Sequence, residues 1–178
     1  MDFFEIIEKR YSHKEKFLPD AVPPENLELI AKAGIAAPSG GNSQCVRLII
    51  LPDREILQLL CEIAPTDGLM TAPAAIAVFT DNSAAAQTGA NNFEVEDYAA
   101  AAENMLLAAV ALGYASLWLD FPWLNENNQR AARAVFGAPK GYHLRVILPV
   151  GLPDGPGSRR EKLPFGERVY YGKFGKIK

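Results

Sequence analysis

Cysteine and histidine are scarce in this chain of 178 residues, which contains two of each. Cys45 and Cys61 form neither a disulfide framework nor a CxxC motif, and the two histidines lack the spacing of metal ligands. We expect Cys45 to fill core space, His13 to lie at the surface and His143 to begin a strand. The low cysteine content favours a reducing compartment, and hence a cytoplasmic location.

Long apolar runs and a large net charge are also missing. No uninterrupted apolar run approaches the roughly 18 residues that a membrane helix needs, and the N-terminal sequence MDFFEIIEKR carries acids within its apolar stretch, unlike a signal peptide. The net charge of -3 gives no reason to expect nucleic acid or a membrane as partner, so any anion site must be local. With 49% hydrophobic and 22% charged residues, the composition fits one globular domain spanning 1–178.

The sequence motifs of several enzyme classes are absent. No GxGxxG follows a predicted strand, and neither GxxxxGK[ST] nor GxSxG occurs. No pair of carboxylates stands out for acid–base catalysis. The chain therefore shows no chemistry of its own, and a bound cofactor is the natural way for it to be an enzyme.

The elements that are present alternate between helices and apolar strands. Periodicity predicts helices over 2–10, 25–37, 53–64, 97–113 and 125–136, and strands over Val46–Leu51, 74–80, 115–120 and 143–150. Pro24 is expected to start the second helix, while Asn125 caps the last and Gly137 stops it. Loops are predicted over 65–72 and 81–94. The pattern indicates an α/β or α+β class with a mixed sheet covered by helices.

Two segments allow more than one interpretation. The helix over 97–113 is apolar on nearly all sides, which suits a core helix and a subunit-interface helix equally. The tail over 168–174 (RVYYGKF) is aromatic and strand-like, so we expect it to dock, either on its own subunit or on another.

The segment APSGGNSQ (37–44) lies between a predicted helix and a predicted strand. Pro38 should end the helix, and Gly40 and Gly41 permit positive φ angles and close approach to a ligand. Ser39, Asn42 and Gln44 place hydrogen-bonding groups along that exposed backbone. The segment is either a binding loop or a plain polar turn between a helix and a strand.

A second candidate segment is 10–14 (RYSHK). In extended backbone, alternate side chains point the same way, so Arg10, Ser12 and Lys14 would line one side. A guanidinium, a hydroxyl and an ammonium together suit a phosphate. The alternative is a solvated basic stretch.

These segments occur in the order and spacing of a known family, and the chain resembles the nitroreductase family of flavin enzymes over nearly its whole length. RYSHK (10–14) resembles the family's early Arg-Arg-Ser-x-Arg segment, and APSGGNSQ (37–44) its Ala-Pro-Ser-x-x-Asn-x-Gln segment. The region 97–118 is similar to the family's central helix and following strand. VGLP (150–153) followed by REKLP (160–164) completes the likeness.

The resemblance implies a particular architecture and cofactor. The fold would be α+β, or α/β-like, of the nitroreductase type, with a central mixed, mainly antiparallel sheet of roughly four or five strands flanked by helices. The protein would be a homodimer with exchanged C-terminal tails and two FMN sites at the subunit interface. The central helix would pack against its copy. The tail RVYYGKF (168–174) would add a strand to the partner and leave the monomer incomplete, so folding and dimerisation would be coupled.

The resemblance also implies which residues contact FMN. One end of the chain would bind the phosphate from Arg10, Ser12 and Lys14, and the other end from Arg160 and Lys162. Ser39, Gly41 and Asn42 would approach the flavin from the partner subunit, with Asn42 near the ring and Gln44 orienting the loop. The full implied set is Arg10, Tyr11, Ser12, Lys14, Pro38, Ser39, Gly41, Asn42, Gln44, Arg160 and Lys162.

The activity implied is reduction of a small acceptor, such as a nitroaromatic or a quinone, with NADH or NADPH as the reductant. The mechanism would be ping-pong, and it would need neither a metal nor an obligatory side-chain acid or base. A flavin-dependent dehalogenase and a flavin-binding storage or sensing protein are the alternatives on the same fold. Tyr11, Lys14 and Lys162 replace arginines of the family pattern, so we expect somewhat weaker FMN affinity. The region between Ile63 and Asp97 is short for a lid, which predicts a wide site of low selectivity.

Overall fold

The computed structural model describes residues 1–85, 87–88 and 91–175, and side chains are described outside 86–91. In chain order the elements are α1 (Phe3–Lys9), α2 (Pro24–Ile35), a 3-10 turn (Gly40–Asn42), β1 (Val46–Leu51), α3 (Glu55–Ile63), α4 (Asp67–Thr71), β2 (Ala74–Asp81), β3 (Gln87–Thr88), β4 (Asn91–Asn92), α5 (Glu94–Ala111), β5 (Ala115–Ser116), a 3-10 turn (Phe121–Leu124), α6 (Glu126–Phe136), β6 (Tyr142–Gly151) and α7 (Phe165–Arg168).

The central sheet has four strands in the order β1-β2-β6-β5, and each neighbouring pair is antiparallel. Ser12 forms a parallel bridge with Ser116 beside β5, which brings the N-terminal segment alongside the sheet and makes it mixed. β3 and β4 form a separate two-stranded hairpin. The α+β fold with a mixed, mainly antiparallel sheet flanked by helices is therefore confirmed.

Helices cover both faces of this sheet, which explains why β2 is buried along its whole length and apolar from Ala74 to Phe79. Successive β2 side chains alternate between two clusters, since side chains of a strand point to opposite faces. Ala75, Ala77 and Phe79 pack in the cluster that includes residues of α3 and α6. Ile76 and Val78 pack in the other, which includes residues of α2 and α5.

The helix boundaries follow the predicted signals. Pro24 occupies the first turn of α2. The Asn125 side chain accepts the backbone N–H groups of Asn127 and Asn128 at the start of α6, and Gly137 ends that helix at φ 60°. These predictions are confirmed.

Several local predictions were wrong. The loop predicted over 65–72 contains α4, because the Thr66 side chain caps a short helical turn by accepting the Leu69 N–H. α5 begins at Glu94 rather than at Asp97. The strand predicted over 115–120 is limited to Ala115–Ser116 and one bridge from Leu119 to Ile147. Part of the loop predicted over 81–94 lies outside the described residues.

The C-terminal region departs from the body of the protein. α7 is followed by a segment, 169–175, that is not strand and whose residues are exposed. No strand pairing is formed by this segment among the described residues. The strand-like character predicted for 168–174 is thus absent from the isolated chain.

No helix among the described residues combines the length and the apolar character needed to cross a membrane.

Candidate functional site

The two ends of the chain meet around a cavity of about 830 Å³. Six of the predicted site residues line this cavity, and they come from segments about 150 positions apart in the sequence. The lining residues are Ile7, Glu8, Arg10, Tyr11, Ser12, Lys14, Ser158, Arg159, Arg160, Glu161 and Lys162. The predicted groups Arg10–Tyr11–Ser12–Lys14 and Arg160–Lys162 are therefore neighbours in space.

The cavity wall from 10–14 is held against the sheet edge. The backbone N–H of His13 donates to the Ser116 carbonyl at 2.9 Å, next to the parallel bridge made by Ser12. Alternation in this extended segment directs His13 inward while Ser12 and Lys14 face the cavity.

The surface position predicted for His13 was wrong, because its side chain is fully buried. His13 Nε2 lies 2.8 Å from the Lys16 carbonyl oxygen. Its ring packs edge-on against Tyr11 and Phe17. His13 therefore anchors the segment from below and does not line the cavity.

Positive charge dominates the cavity. Five cationic side chains line it, against the two carboxylates of Glu8 and Glu161. The Arg10 Nε lies 3.4 Å from Oε1 of Glu103 on α5. The Arg159 guanidinium donates to the Arg10 carbonyl at 3.2 Å, which joins the two chain ends directly. Such a concentration of donors suits a small polyanion such as a phosphate.

The loop over 39–45 has an unusual backbone. Gly41, Asn42 and Gln44 all have positive φ angles, of 56°, 55° and 50°. The positive φ predicted for Gly41 is confirmed, whereas Gly40 serves a different purpose: a Cβ there would lie 2.7 Å from the Phe93 Cβ. Left-handed backbone at two non-glycine residues is uncommon and marks a conformation that the surroundings enforce.

Asp97 of α5 binds this loop through its side chain. Its side chain is buried and accepts three hydrogen bonds from the loop: from the Gly40 N–H at 2.7 Å, the Ser43 hydroxyl at 3.0 Å and the Cys45 thiol at 3.3 Å. Within the loop, the Gln44 N–H donates to the Ser39 hydroxyl at 3.0 Å. Asp97 was not among the predicted site residues, although an acidic residue near the start of an otherwise apolar helix was the available signal.

The environment of Asp97 also determines the chemistry of Cys45. Burial, together with the hydrogen bond to Asp97, raises the pKa of the Cys45 thiol to about 11. The thiol is therefore neutral at physiological pH, as expected for a residue that fills core space.

A polar cluster connects the first turn of α5 to the sheet. The Arg145 guanidinium on β6 pairs with Glu94, donates to the Thr80 hydroxyl at 2.8 Å and lies 5.9 Å from the centre of the Tyr98 ring. Burial and the neighbouring Arg145 lower the pKa of His143. The Arg145–Glu94 ion pair and the hydrogen bond from Arg145 to Thr80 connect the start of α5 to β6 and β2, close to Asp97.

The loop and the large cavity are separate within one chain. Pro38, Ser39 and Gln44 border a smaller cavity of about 230 Å³, which Asp97 also lines. Gly41 and Asn42 are exposed and line neither cavity. The single chain thus assembles the predicted phosphate-side residues, and presents the predicted ring-side residues elsewhere on its surface.

Comparison with known proteins places this arrangement in a family. The sequence model described as "Nitroreductase family" matches residues 7–66 and 64–152. A relative from Archaeoglobus fulgidus, named "Putative NADH dehydrogenase/NAD(P)H nitroreductase", is 37% identical over 74% of this chain and 75% of its own length.

Solved structures agree with this. A nitroreductase family protein from Clostridium difficile 630 has 28% identity and a TM-score of 0.85, with 97% of this chain and 99% of that chain covered. A "putative nitroreductase in complex with FMN" from Desulfovibrio desulfuricans has 26% identity and a TM-score of 0.82, with 96% of each chain covered. With its fold, its cationic cavity and these matches, the chain belongs to the nitroreductase family.

Proposed function

We propose that this protein is an FMN-dependent oxidoreductase that uses NADH or NADPH to reduce a small acceptor such as a nitroaromatic or a quinone. The observation that carries the proposal is the cavity in which both chain ends place cationic side chains around a serine hydroxyl. A solved family member from Desulfovibrio desulfuricans holds FMN, which supports FMN as the ligand here.

The residues present fit the phosphate end of FMN. A phosphate monoester carries nearly two negative charges and three acceptor oxygens at neutral pH. Arg10 and Arg160 offer planar donor forks, and Lys14 and Lys162 offer point charges. Ser12 adds a neutral donor. The net charge of -3 cannot attract such an anion, so this local cluster must do so.

The ring end of FMN requires the loop over 39–45 of a second subunit. Ser39, Gly41 and Asn42 are the ring-side residues in this proposal, Pro38 shapes the loop, and Gln44 orients it. The loop lies outside the large cavity of its own chain, so a homodimer would complete each site. The partly exposed side of α5, which includes Leu107 and Val110, would pack against its copy.

The C-terminal tail gives independent support for a dimer. Phe165 and Phe174 are 66% and 89% exposed, which is unusual for aromatic residues of a folded chain. Strand β1 pairs only with β2 in the ladders described, which leaves its outer edge open to an added strand. We propose that the tail adds to the β1 edge of the partner, in a single FMN-binding domain spanning 1–178 that functions in the cytoplasm.

Bound FMN would supply the redox chemistry, taking a hydride from NAD(P)H and passing it to the acceptor in a ping-pong sequence. The chain's own residues would bind and orient the cofactor: Arg10 and its neighbours hold the phosphate, and the Asn42 loop lies along the ring. Among these residues, none has to donate or remove a proton. The lysines at 14 and 162 keep the charge of the expected arginines but not the bidentate geometry, which predicts weaker cofactor affinity.

The visible spectrum of the purified protein tests the proposal. We expect a yellow protein, or one that becomes yellow with added FMN, that bleaches under anaerobic NADH or NADPH and recovers with a nitroaromatic or quinone. Parallel lines in double-reciprocal plots would support the ping-pong sequence. A protein that stays colourless with added FMN contradicts the cofactor assignment.

Two other results would support the FMN site but indicate a different function. Bound flavin that neither NADH nor NADPH reduces would indicate a storage or sensing protein. Reduction without transfer to nitro compounds or quinones, but with loss of halide from a halogenated aromatic, would indicate a dehalogenase.

A further inference from the structure

Asp97 is a buried carboxylate whose hydrogen bonds all lead to one loop. It is 3% exposed, and three donors from Gly40, Ser43 and Cys45 converge on its two oxygens. No lysine or arginine lies within ion-pair distance of it among the described residues. Burying a carboxylate costs free energy, and hydrogen bonds from neutral donors offset only part of that cost. The loop that supplies these donors is therefore the structure that depends on Asp97.

We propose that Asp97 is the positioning residue of the flavin site, holding the loop over 39–45 in the conformation that presents Ser39 and Asn42 to the flavin ring. This inference rests on the proposed function. In this role Asp97 contacts neither the flavin nor the reacting atoms, and it acts through the loop.

The loop needs such an anchor because its backbone is strained. Positive φ costs of the order of 1 kcal/mol or more at each of Asn42 and Gln44, and it persists only where the surroundings over-determine the backbone. Asp97 holds the loop on both sides of these residues, through Gly40 before them and Cys45 after them. Without this clamp, the loop is free to relax to extended or right-handed backbone and Asn42 turns away.

The position of Asp97 in α5 links the two FMN sites of the proposed dimer. Six residues further along the same helix, Glu103 pairs with Arg10 of the phosphate cavity. At 1.5 Å per residue, the two acids are about 9 Å apart along the axis. Asp97 also lies in the first turns of α5, where the helix dipole stabilises a negative charge. One helix therefore positions, through Asp97, the ring-side loop that would enter the partner's site, and, through Glu103, the phosphate side of the site on its own chain.

An amide reproduces this carboxylate only in part. All three groups donate to Asp97; an asparagine oxygen can keep the Gly40 N–H, but its NH₂ would then face the Ser43 hydroxyl, which must rotate to accept, and the Cys45 thiol, which is a weak acceptor. The substitution Asp97→Asn keeps the size of the side chain and breaks the pattern of donors and acceptors.

The test compares FMN and riboflavin, which share the ring and differ in the phosphate. Dissociation constants are measured by quenching of flavin fluorescence for the wild type, Asp97→Asn and Arg10→Ala. We expect Asp97→Asn to weaken FMN and riboflavin by the same factor, about tenfold or 1.4 kcal/mol, and to shift the visible spectrum of the bound flavin. Arg10→Ala should weaken FMN alone.

Matched variants separate positioning from charge and folding. Glu96→Gln removes a negative charge from the same helical turn at an exposed position and should leave both affinities and the spectrum unchanged. Ser43→Ala removes one donor and keeps the carboxylate, so it should show the same effects at smaller size. It decides the question if Asp97→Asn does not fold.

The outcomes distinguish the inference from the proposed function. Failure of the wild type to bind FMN would contradict the proposed function itself. Wild-type FMN binding with unchanged affinities and spectrum in folded Asp97→Asn, or in Ser43→Ala where Asp97→Asn is unfolded, would overturn the role of Asp97 alone.

Discussion

Arg10 of the N-terminal segment and Glu103 of α5 form an ion pair, with 3.4 Å between Nε and Oε1. Because this contact is made through Nε, it leaves the two terminal nitrogens of the guanidinium available to a ligand in the cavity that Arg10 lines. The pair is partly exposed, with side-chain exposures of 29% and 47%, so it is a modest contributor to stability. Its main consequence is the orientation of Arg10.

Arg10→Ala should reduce FMN occupancy more than it changes the turnover rate per bound flavin. A charge-assisted contact to phosphate is lost, so we expect the FMN dissociation constant to rise by about ten- to a hundredfold, with riboflavin affinity unchanged. Flavin content by absorbance, and turnover normalised to that content, measure the two effects. Equal occupancy with lost turnover would remove Arg10 from the phosphate site.

Glu103→Gln should strengthen FMN binding. The glutamine oxygen can still accept from the Arg10 Nε, while removal of the negative charge leaves the cavity more positive. Exposed ion pairs are worth about 0.2–1 kcal/mol, which predicts a gain of about 1.4- to fivefold that disappears at high salt. Fluorescence titrations at low and high ionic strength measure this. Weaker FMN binding at low salt would show that the charge of Glu103, and not its hydrogen bond, orients Arg10.

Asn42→Gly and Asn42→Ala should separate the backbone of the loop from the amide side chain. Asn42 has φ 55°, which glycine adopts freely and alanine does not. Asn42→Ala should therefore cost about 1 kcal/mol of unfolding free energy relative to Asn42→Gly, while both lose the contact of the amide with the flavin. Denaturant unfolding and the spectrum of bound FMN report the two effects. Equal stability of the two variants would mean that the loop is not held at this φ.

The stabilising contribution of Cys45 should fall at alkaline pH. The folded-state pKa of the thiol is about 11, raised from an ordinary value of 9.0 by burial. A raised pKa means that the neutral thiol stabilises the fold below pH 9 and that this contribution is lost as pH rises through 11. The advantage of the wild type over Cys45→Ala should therefore shrink by about 2 kcal/mol between pH 8 and pH 10.5. Urea unfolding of both proteins across this range measures the difference, and a constant difference would contradict the assignment.

Local patterns in the sequence predicted much of the fold. Short-range periodicity and backbone preferences can be recognised within a few residues of sequence. They predicted the strand Val46–Leu51, the apolar strand that is buried in the sheet, the cap at Asn125 and the stop at Gly137. The Arg10–Lys14 alternation likewise depends only on the geometry of extended backbone.

Tertiary structure decided what local patterns could not. The sequence indicated that 10–14 and 160–162 carry positive charge, but only the fold shows that they share one cavity, because contacts across about 150 residues leave no local periodicity. The surface position predicted for His13 was wrong because the hydrogen bond from its backbone N–H to the Ser116 carbonyl holds the segment against the sheet and buries the ring, whatever the polarity of the side chain. In the sequence, Asp97 resembles any acidic residue in the first turn of a helix. Only the packing of α5 beside the loop brings three donors to its side chain. Chain composition and spacing thus determined the elements and the candidate groups, whereas long-range packing decided which groups meet.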